Sequence, residues 1–365
     1  MADTTARPAS GTALPATMRA AVCTSAGGVT IDERPVPVPG DGQVLVAVEH
    51  CGICGSDIHL ILDGWGTAGV VEGHEWTGVV AAVGPDVDRW QVGDQVLGGP
   101  PVHCGRCRPC REGRPSRCED RSMAQALAVD GAFADFVLVD ARRLLAIPPG
   151  LSPRVAALAE PLAVALHALS QGGVGPVDSV LVLGAGPIGA LAIAALAARG
   201  APAVVAVEPL PARQELARRL GAHRVLDPGA LDTFPIWEPE RMAEQAVDVV
   251  LECSGKKVAM EAGLSQLRRG GRLVLVGAGI EPPSFDPNRI LLNELTVTGS
   301  FNYDEHGFEE ALALLTTDGF PVDELIAPDD VPLDRLGDAL RDLADGRIAA
   351  KAMVAPRLRS GEVER

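Results

Sequence analysis

From Met18 to Val139, short apolar runs alternate with Gly-, Pro- and Asp-containing turns. This pattern predicts strands at 19–23, 43–48, 75–83, 94–97 and 132–139. After Pro153 the pattern changes to short Val/Leu runs at 180–183, 204–207, 225–226, 247–251, 273–276 and 295–298. Helix-length segments at 187–199, 211–220 and 257–269 lie between several of them. That alternation predicts an α/β fold with a doubly wound parallel sheet, and six strands are the complement of a dinucleotide-binding domain. Beyond residue 300 come helical stretches at 309–315 and 333–343, a strand at 349–354 and a polar tail. The stretch 179–198 is uncharged and near bilayer-spanning length, but Gly184, Gly186, Pro187 and Gly189 divide it into a strand and a helix. Residues 1–17 are rich in Ala, Thr and Pro without a basic start or an apolar run, so a disordered tail rather than a signal peptide is expected.

A length of 365 residues suggests two domains, and 47% hydrophobic residues are enough for large cores. With 32 basic against 48 acidic residues the net charge is −16, which disfavours nucleic acid and anionic membrane as partners.

Candidate chemistry begins with the eight cysteines. Cys104, Cys107, Cys110 and Cys118 form C-x2-C-x2-C-x7-C in a Gly/Arg/Pro loop with little apolar material, a spacing suited to four thiolates around Zn²⁺. An iron–sulfur run would place the fourth Cys after x3 with Pro following, whereas Glu119 follows here. A second cluster, C-G-I-C-G-S-D-I-H from Cys51 to His59 with G-H-E at 73–75, offers a thiolate and an imidazole for another Zn²⁺. The third donor must come from elsewhere. Glu160 is the lone charged residue between Arg154 and Asp178, where a carboxylate is costly unless neutralised. Taken alone, it could equally cap a helix starting at Pro161.

V-L-V-L-G-A-G-P-I-G, from Val180 to Gly189, is a strand entering G-x-G-x-x-G and then a helix. Gly184 permits the turn, Gly186 admits a pyrophosphate and Gly189 lets helix pack on strand, with Pro187 and Ile188 completing the loop. The following run ends in Glu208, about where an acid meets a ribose 2′-hydroxyl. NAD is therefore expected over NADP. Arg213, five residues on in the sequence, weighs slightly for NADP.

In the order G-I-C-G-S-D-I-H, G-H-E, four-Cys loop, E-P-L-A, G-A-G-P-I-G and V-L-E-C-S-G, the chain resembles the zinc-dependent medium-chain dehydrogenase/reductases from Met18 to about Val354. The likeness is to their polyol (sorbitol-like) and threonine dehydrogenase branch. The resemblance implies a GroES-like catalytic domain at 18–161 and 300–365 around a Rossmann domain at 162–299. It implies two Zn²⁺ per chain, one structural on the four cysteines and one catalytic on Cys54, His74 and Glu160. Glu75 would lie near the metal, Asp57 would orient His74, and Ser56 with His59 would relay a proton. Cys23, Cys51 and Cys253 would be structural.

The implied activity is hydride transfer between a secondary alcohol or polyol, or its ketone, and NAD(H). An NADPH-dependent carbonyl reductase of the same fold is the alternative, and a non-catalytic relative the third possibility. A cytoplasmic homodimer or homotetramer joined at the 291–298 sheet edge is expected. The family's Phe-Arg-Tyr is here Phe301, Asn302 and Tyr303, which argues against sorbitol itself, and Trp65 in the apolar 60–71 segment is a candidate pocket wall.

Overall fold

The computed structural model describes residues 7–8, 14–99, 103–120 and 131–359. Most of the expected N-terminal tail lies outside them, although Arg7–Pro8 pairs with Ala82 and Val83 and a strand opens at Thr17. The chain divides into two units, Met1–Glu160 with Ile326–Arg365, and Pro161–Leu325. The first break falls beside the expected one at 161. The return to the first unit comes at Ile326 rather than at 300, because the helix Gly307–Leu315 belongs to the second unit.

The first unit is built on an eight-stranded sheet. Its central strand, Gln43–Gly52, pairs antiparallel with Glu75–Val83, Phe136–Asp140 and Met353–Ala355. Consecutive residues Val44, Leu45 and Val46 are all 0% exposed, so both faces of this strand are covered. The strand runs four residues beyond its apolar stretch, to Gly52, because its partners continue alongside it. The strand expected at 132–139 starts at Phe136, and Ala134 makes only an isolated bridge to Ala20. A strand not expected, Val29–Pro35, pairs with Thr17–Cys23. Its sequence, VTIDERP, is mostly exposed and carries no buried alternation to read.

The second unit holds six parallel strands in the order Arg224–Leu226, Ala203–Val207, Ser179–Leu183, Val247–Glu252, Leu267–Leu275, Thr296–Gly299. Numbered along the chain this is 3-2-1-4-5-6, the doubly wound order whose switch point lies beside the first strand. Val180 to Leu183 are at most 3% exposed, as in a sheet covered on both faces. The 179–198 stretch is indeed a strand and a helix, Ser179–Leu183 and Pro187–Ala198, and no helix among the described residues is long and apolar enough to cross a membrane. The helix expected over 257–269 ends at Ser265. Leu267 already pairs with Val247, and Gly270, at φ +74°, lies within the new strand, where the ladder shifts register.

Candidate metal centres and nucleotide loop

The first centre is assembled by strand register. Met353–Ala355, Gln43–Gly52 and Glu75–Val83 lie side by side, so that Gly52 is opposite both Met353 and Glu75. The chain leaves the central strand at Gly52, and Cys54 then caps the helix Gly55–Ile61. Across the sheet, Gly73 holds φ +102°, and a Cβ there would lie 2.9 Å from both Cys51 Sγ and Phe133 N, so only glycine delivers His74 and Glu75 along this path. The Sγ of Cys54, a ring nitrogen of His74 and a carboxylate oxygen of Glu75 come within 4.8 Å of one another. Glu160, the donor expected from the sequence, stands outside that close group. Its carboxyl nevertheless feels His74, Glu75, Lys351 and Asp57.

Electrostatics prepare this group for a cation. Asp57 is fully buried, and its Oδ2 accepts the Cys54 backbone N–H at 2.8 Å, closing the first helical turn. Its Oδ1 faces His74 Nδ1 at 3.6 Å and makes no hydrogen bond among the described residues. Burial pushes the Asp57 carboxyl up from its ordinary value. Burial opposes charge on His74 as well, yet Asp57, Cys54 and Glu160 outweigh it and hold the imidazole well above its usual range. Burial likewise pushes Glu160 up to about 7, against the pull of His74.

Sequence reasoning missed Lys351. It is 2% exposed, sits 2.7 Å from both carboxylate oxygens of fully buried Glu75, and donates to the Ile53 carbonyl at 3.0 Å. The signal was available: Lys351 is the lone charged residue between Arg347 and Arg357, the same isolation that singled out Glu160. Lys351 thus pairs directly with Glu75 and also feels the charges of Cys54 and Glu160. A divalent cation that takes thiolate, imidazole and carboxylate together fits this donor set.

The second centre is local in sequence. Cys104, Cys107, Cys110 and Cys118 also bring their sulfurs within 4.8 Å of one another, and all are free thiols. The backbone N–H groups of Cys107 and Arg106 hold the Cys104 thiol down to about 6, while burial and neighbouring sulfurs push Cys110 up to about 12. The lobe buries only Ser116 and Cys118 among residues 103–120, so it has no apolar core to set this geometry. Four sulfurs in contact with little else to hold them fit a tetrahedral cation.

In the second unit the glycine loop takes its expected form. Gly184 has φ +90°, and a Cβ on Gly189 would lie 1.9 Å from the Gly184 carbonyl, so the third glycine is required by helix-on-strand contact. Gly186 caps the helix Pro187–Ala198 with no side-chain cap, leaving its first N–H groups for a ligand, with Pro187 at the first turn and Ile188 half-buried behind it.

Glu208 follows the second strand and is only 3% exposed. Its Oε2 accepts the Ala185 N–H at 2.8 Å and its Oε1 the Leu210 N–H at 3.0 Å, so it braces the glycine loop and keeps part of its acceptor capacity. Arg213 belongs to the helix Pro211–Arg219, as expected, yet its Nη1 lies 3.8 Å from where a Gly186 Cβ would be. Elsewhere in this unit Tyr303 is buried edge-on to Phe308 at 5.0 Å, Phe301 is 47% exposed, and Asn302 adopts φ +53°.

Comparison with known proteins agrees with this geometry. Residues 40–149 match the alcohol dehydrogenase GroES-like domain, and residues 187–317 match the zinc-binding dehydrogenase family. The chain is 34% identical over 354 residues to sorbitol dehydrogenase of Bacillus subtilis, covering 94% of this chain and 98% of that one. Among solved structures, 2R,3R-butanediol dehydrogenase from Bacillus subtilis is 32% identical with a TM-score of 0.81, covering 93% of this chain and 100% of that one. A zinc-binding dehydrogenase from Sinorhizobium meliloti 1021, bound to NADP, is 31% identical with a TM-score of 0.81, covering 94% and 100%. With both units matched and the donor groups in place, the chain belongs to the zinc-dependent medium-chain dehydrogenases, in their polyol dehydrogenase branch.

Proposed function

We propose that this dehydrogenase transfers hydride between a secondary alcohol or polyol, or the matching ketone, and NAD(H), using one catalytic and one structural Zn²⁺ per chain. The observation that carries the reading is the close group of Cys54, His74 and Glu75, with Glu75 tied to Lys351 and His74 faced by Asp57. When bound, zinc supplies a Lewis acid that makes a substrate hydroxyl acidic near neutral pH, and the nicotinamide supplies the two-electron acceptor. The chain's residues do the remainder. Cys54 and His74 are two donors in this proposal, and the third is a carboxylate. Glu75 has the nearer position, and Glu160 has the place expected from its motif. Asp57 fixes the ring orientation of His74. Ser56 takes up the hydroxyl proton, and His59, one helical turn on, passes it towards water. Cys104, Cys107, Cys110 and Cys118 hold the structural ion.

The NAD preference rests on Glu208, whose remaining acceptor capacity suits ribose hydroxyls and repels a 2′-phosphate. Arg213, reaching the Gly186 turn, favours the second reading, an NADPH-linked carbonyl reductase. The likeness to relatives named for sorbitol and butanediol supports a polyol or vicinal diol as the substrate. The exposed Leu291 and Leu292, beside the edge strand Thr296–Gly299, suit association of two copies along that edge, and eight free thiols suit a reducing cytoplasm. A panel of secondary alcohols, diols and polyols, scored by NAD⁺ and NADP⁺ reduction at 340 nm, tests the proposal. Turnover of at least one alcohol with NAD⁺ preferred is expected, and turnover confined to primary alcohols or to NADP⁺ would overturn it.

A further inference from the structure

Past the helix Gly55–Ile61 the chain doubles back on itself. Gly64, at φ +76°, makes the turn, the Trp65 N–H donates to the His59 carbonyl at 3.2 Å, and the Gly66 N–H donates to the Leu60 carbonyl at 2.9 Å. Asp63 is thereby brought to His59, its Oδ2 lying 2.7 Å from Nδ1, and the Trp65 ring stacks on the imidazole with centroids 5.0 Å apart and planes 22° from parallel. The indole thus covers one flat face of the imidazole and the carboxylate holds its Nδ1 edge. The side chains of His59 and Asp63 are 26% and 40% exposed, so the pair adds little to folding stability and its effect is on orientation.

A carboxylate can only accept. The proton on the neutral ring must therefore sit on Nδ1, leaving Nε2 as the acceptor. We propose that Asp63 and Trp65 are positioning residues that fix the tautomer and plane of His59 so that Nε2 is its proton-accepting atom. The inference rests on the reading of His59 as the outer member of the proton relay. In the oxidation direction the hydroxyl proton passes through Nε2 to bulk water while the hydride goes to the nicotinamide, so charge and electrons balance.

The test uses zinc-loaded holoenzyme labelled with ¹⁵N-histidine, in which the ring nitrogen shifts report the tautomer directly and His59→Gln assigns the signal. Wild type should show His59 protonated at Nδ1. Asp63→Asn, whose amide can donate, should move the proton to Nε2, and Asp63→Glu should restore the original form. In turnover of butane-2,3-diol or sorbitol with NAD⁺, Asp63→Asn should lower kcat about tenfold with KM unchanged, against about a hundredfold for His59→Gln, and added imidazole should restore much of both losses. Trp65→Ala should lose part of kcat, and Trp65→Phe, which keeps an aromatic face against the ring, should lose less of it. An unchanged tautomer in Asp63→Asn overturns the proposal, as does unchanged kcat beside a defective His59→Gln. Full activity of His59→Gln overturns the relay reading instead, and the NMR result then stands apart from it.

Discussion

Replacing Lys351 with Met should destabilise the first unit while leaving the second intact. Lys351 and Glu75 are 2% and 0% exposed and 2.7 Å apart. At an effective dielectric near 20 their gross attraction is about 6 kcal/mol, partly offset by what it costs to take the lysine out of water. Removing one partner leaves the other buried and charged, a change that costs about 3–5 kcal/mol. For a unit of this size each kcal/mol lowers Tm by about 2–4 °C, so a fall of about 10 °C is expected in chelator-treated protein. The fall should be smaller with zinc bound, because a divalent cation beside Glu75 replaces the missing ammonium. Adding Glu75→Gln to Lys351→Met should recover part of the loss, since no buried charge then remains unpaired. Burial works against charge on Lys351, but Glu75 and Cys54 prevail and raise its pKa. A lysine whose folded pKa is raised contributes stability that is full below its unfolded value and lost only as pH climbs through the folded one. The defect should therefore be constant across neutral pH and fade only above about pH 10. Differential scanning calorimetry reads these shifts. A chelated Lys351→Met protein melting within about 1 °C of wild type would refute the reasoning.

Four further outcomes are expected. Glu160→Ala should abolish hydride transfer while leaving NADH binding, measured by fluorescence titration, largely intact, and wild-type kcat would reduce Glu160 to a residue at the start of its helix. Cys118→Ser should lose about one zinc per chain and some thermal stability, because metal binding is part of the folding energy of a lobe without an apolar core, and unaltered metal content would refute the four-thiolate site. The wild type should favour NAD⁺ over NADP⁺ by at least about a hundredfold in kcat/KM, since a like-charge contact can cost several kcal/mol, and Glu208→Ser should narrow the gap by improving NADP⁺. Equal use of both cofactors would assign control to Arg213. The metal-free protein should lose stability as pH rises from about 4.5 to about 7, the window between the ordinary and raised values of Glu160, with His74 adding a loss above its usual value. Zinc binding near pH 6 should correspondingly expel protons, read by calorimetry in buffers of different ionisation enthalpy, and a chelated protein whose Tm is flat over this range contradicts the assignment.

Much of this was legible where chemistry is local in the chain. The strand Glu75–Val83 begins and ends where its apolar run does, and the four cysteines and the glycine loop each lie within one short segment whose spacing already implies their geometry. The doubly wound sheet followed from six apolar runs with helices between several of them, whereas the order of the six strands in the sheet came only with the structure. What the chain hid depends on pairing between distant segments. Whether Glu75 or Glu160 stands closer to Cys54 and His74 is decided by the register that sets Gly52 opposite Glu75, and register is not written in composition. Lys351 was readable as an isolated charge but had no visible partner, because its partner lies 276 residues away in sequence. Val29–Pro35 escaped because an exposed hairpin strand has no buried face to impose a pattern, and the helix Lys257–Ser265 was read too long because Gly270 and Gly271 do not by themselves distinguish a helix end from a kinked strand.

The proposed catalytic zinc of this alcohol or polyol dehydrogenase is held by Cys54, His74 and a neighbouring carboxylate. Its most direct test is NADH formation at 340 nm by one preparation carried through three states: as purified, stripped with chelator until elemental analysis finds no zinc, and reloaded with Zn²⁺. Turnover of a secondary alcohol or polyol should be lost on stripping and return on reloading, and Cys54→Ser should not regain it. Undiminished turnover by the stripped protein, or full activity in Cys54→Ser, would rule out a catalytic zinc on these residues.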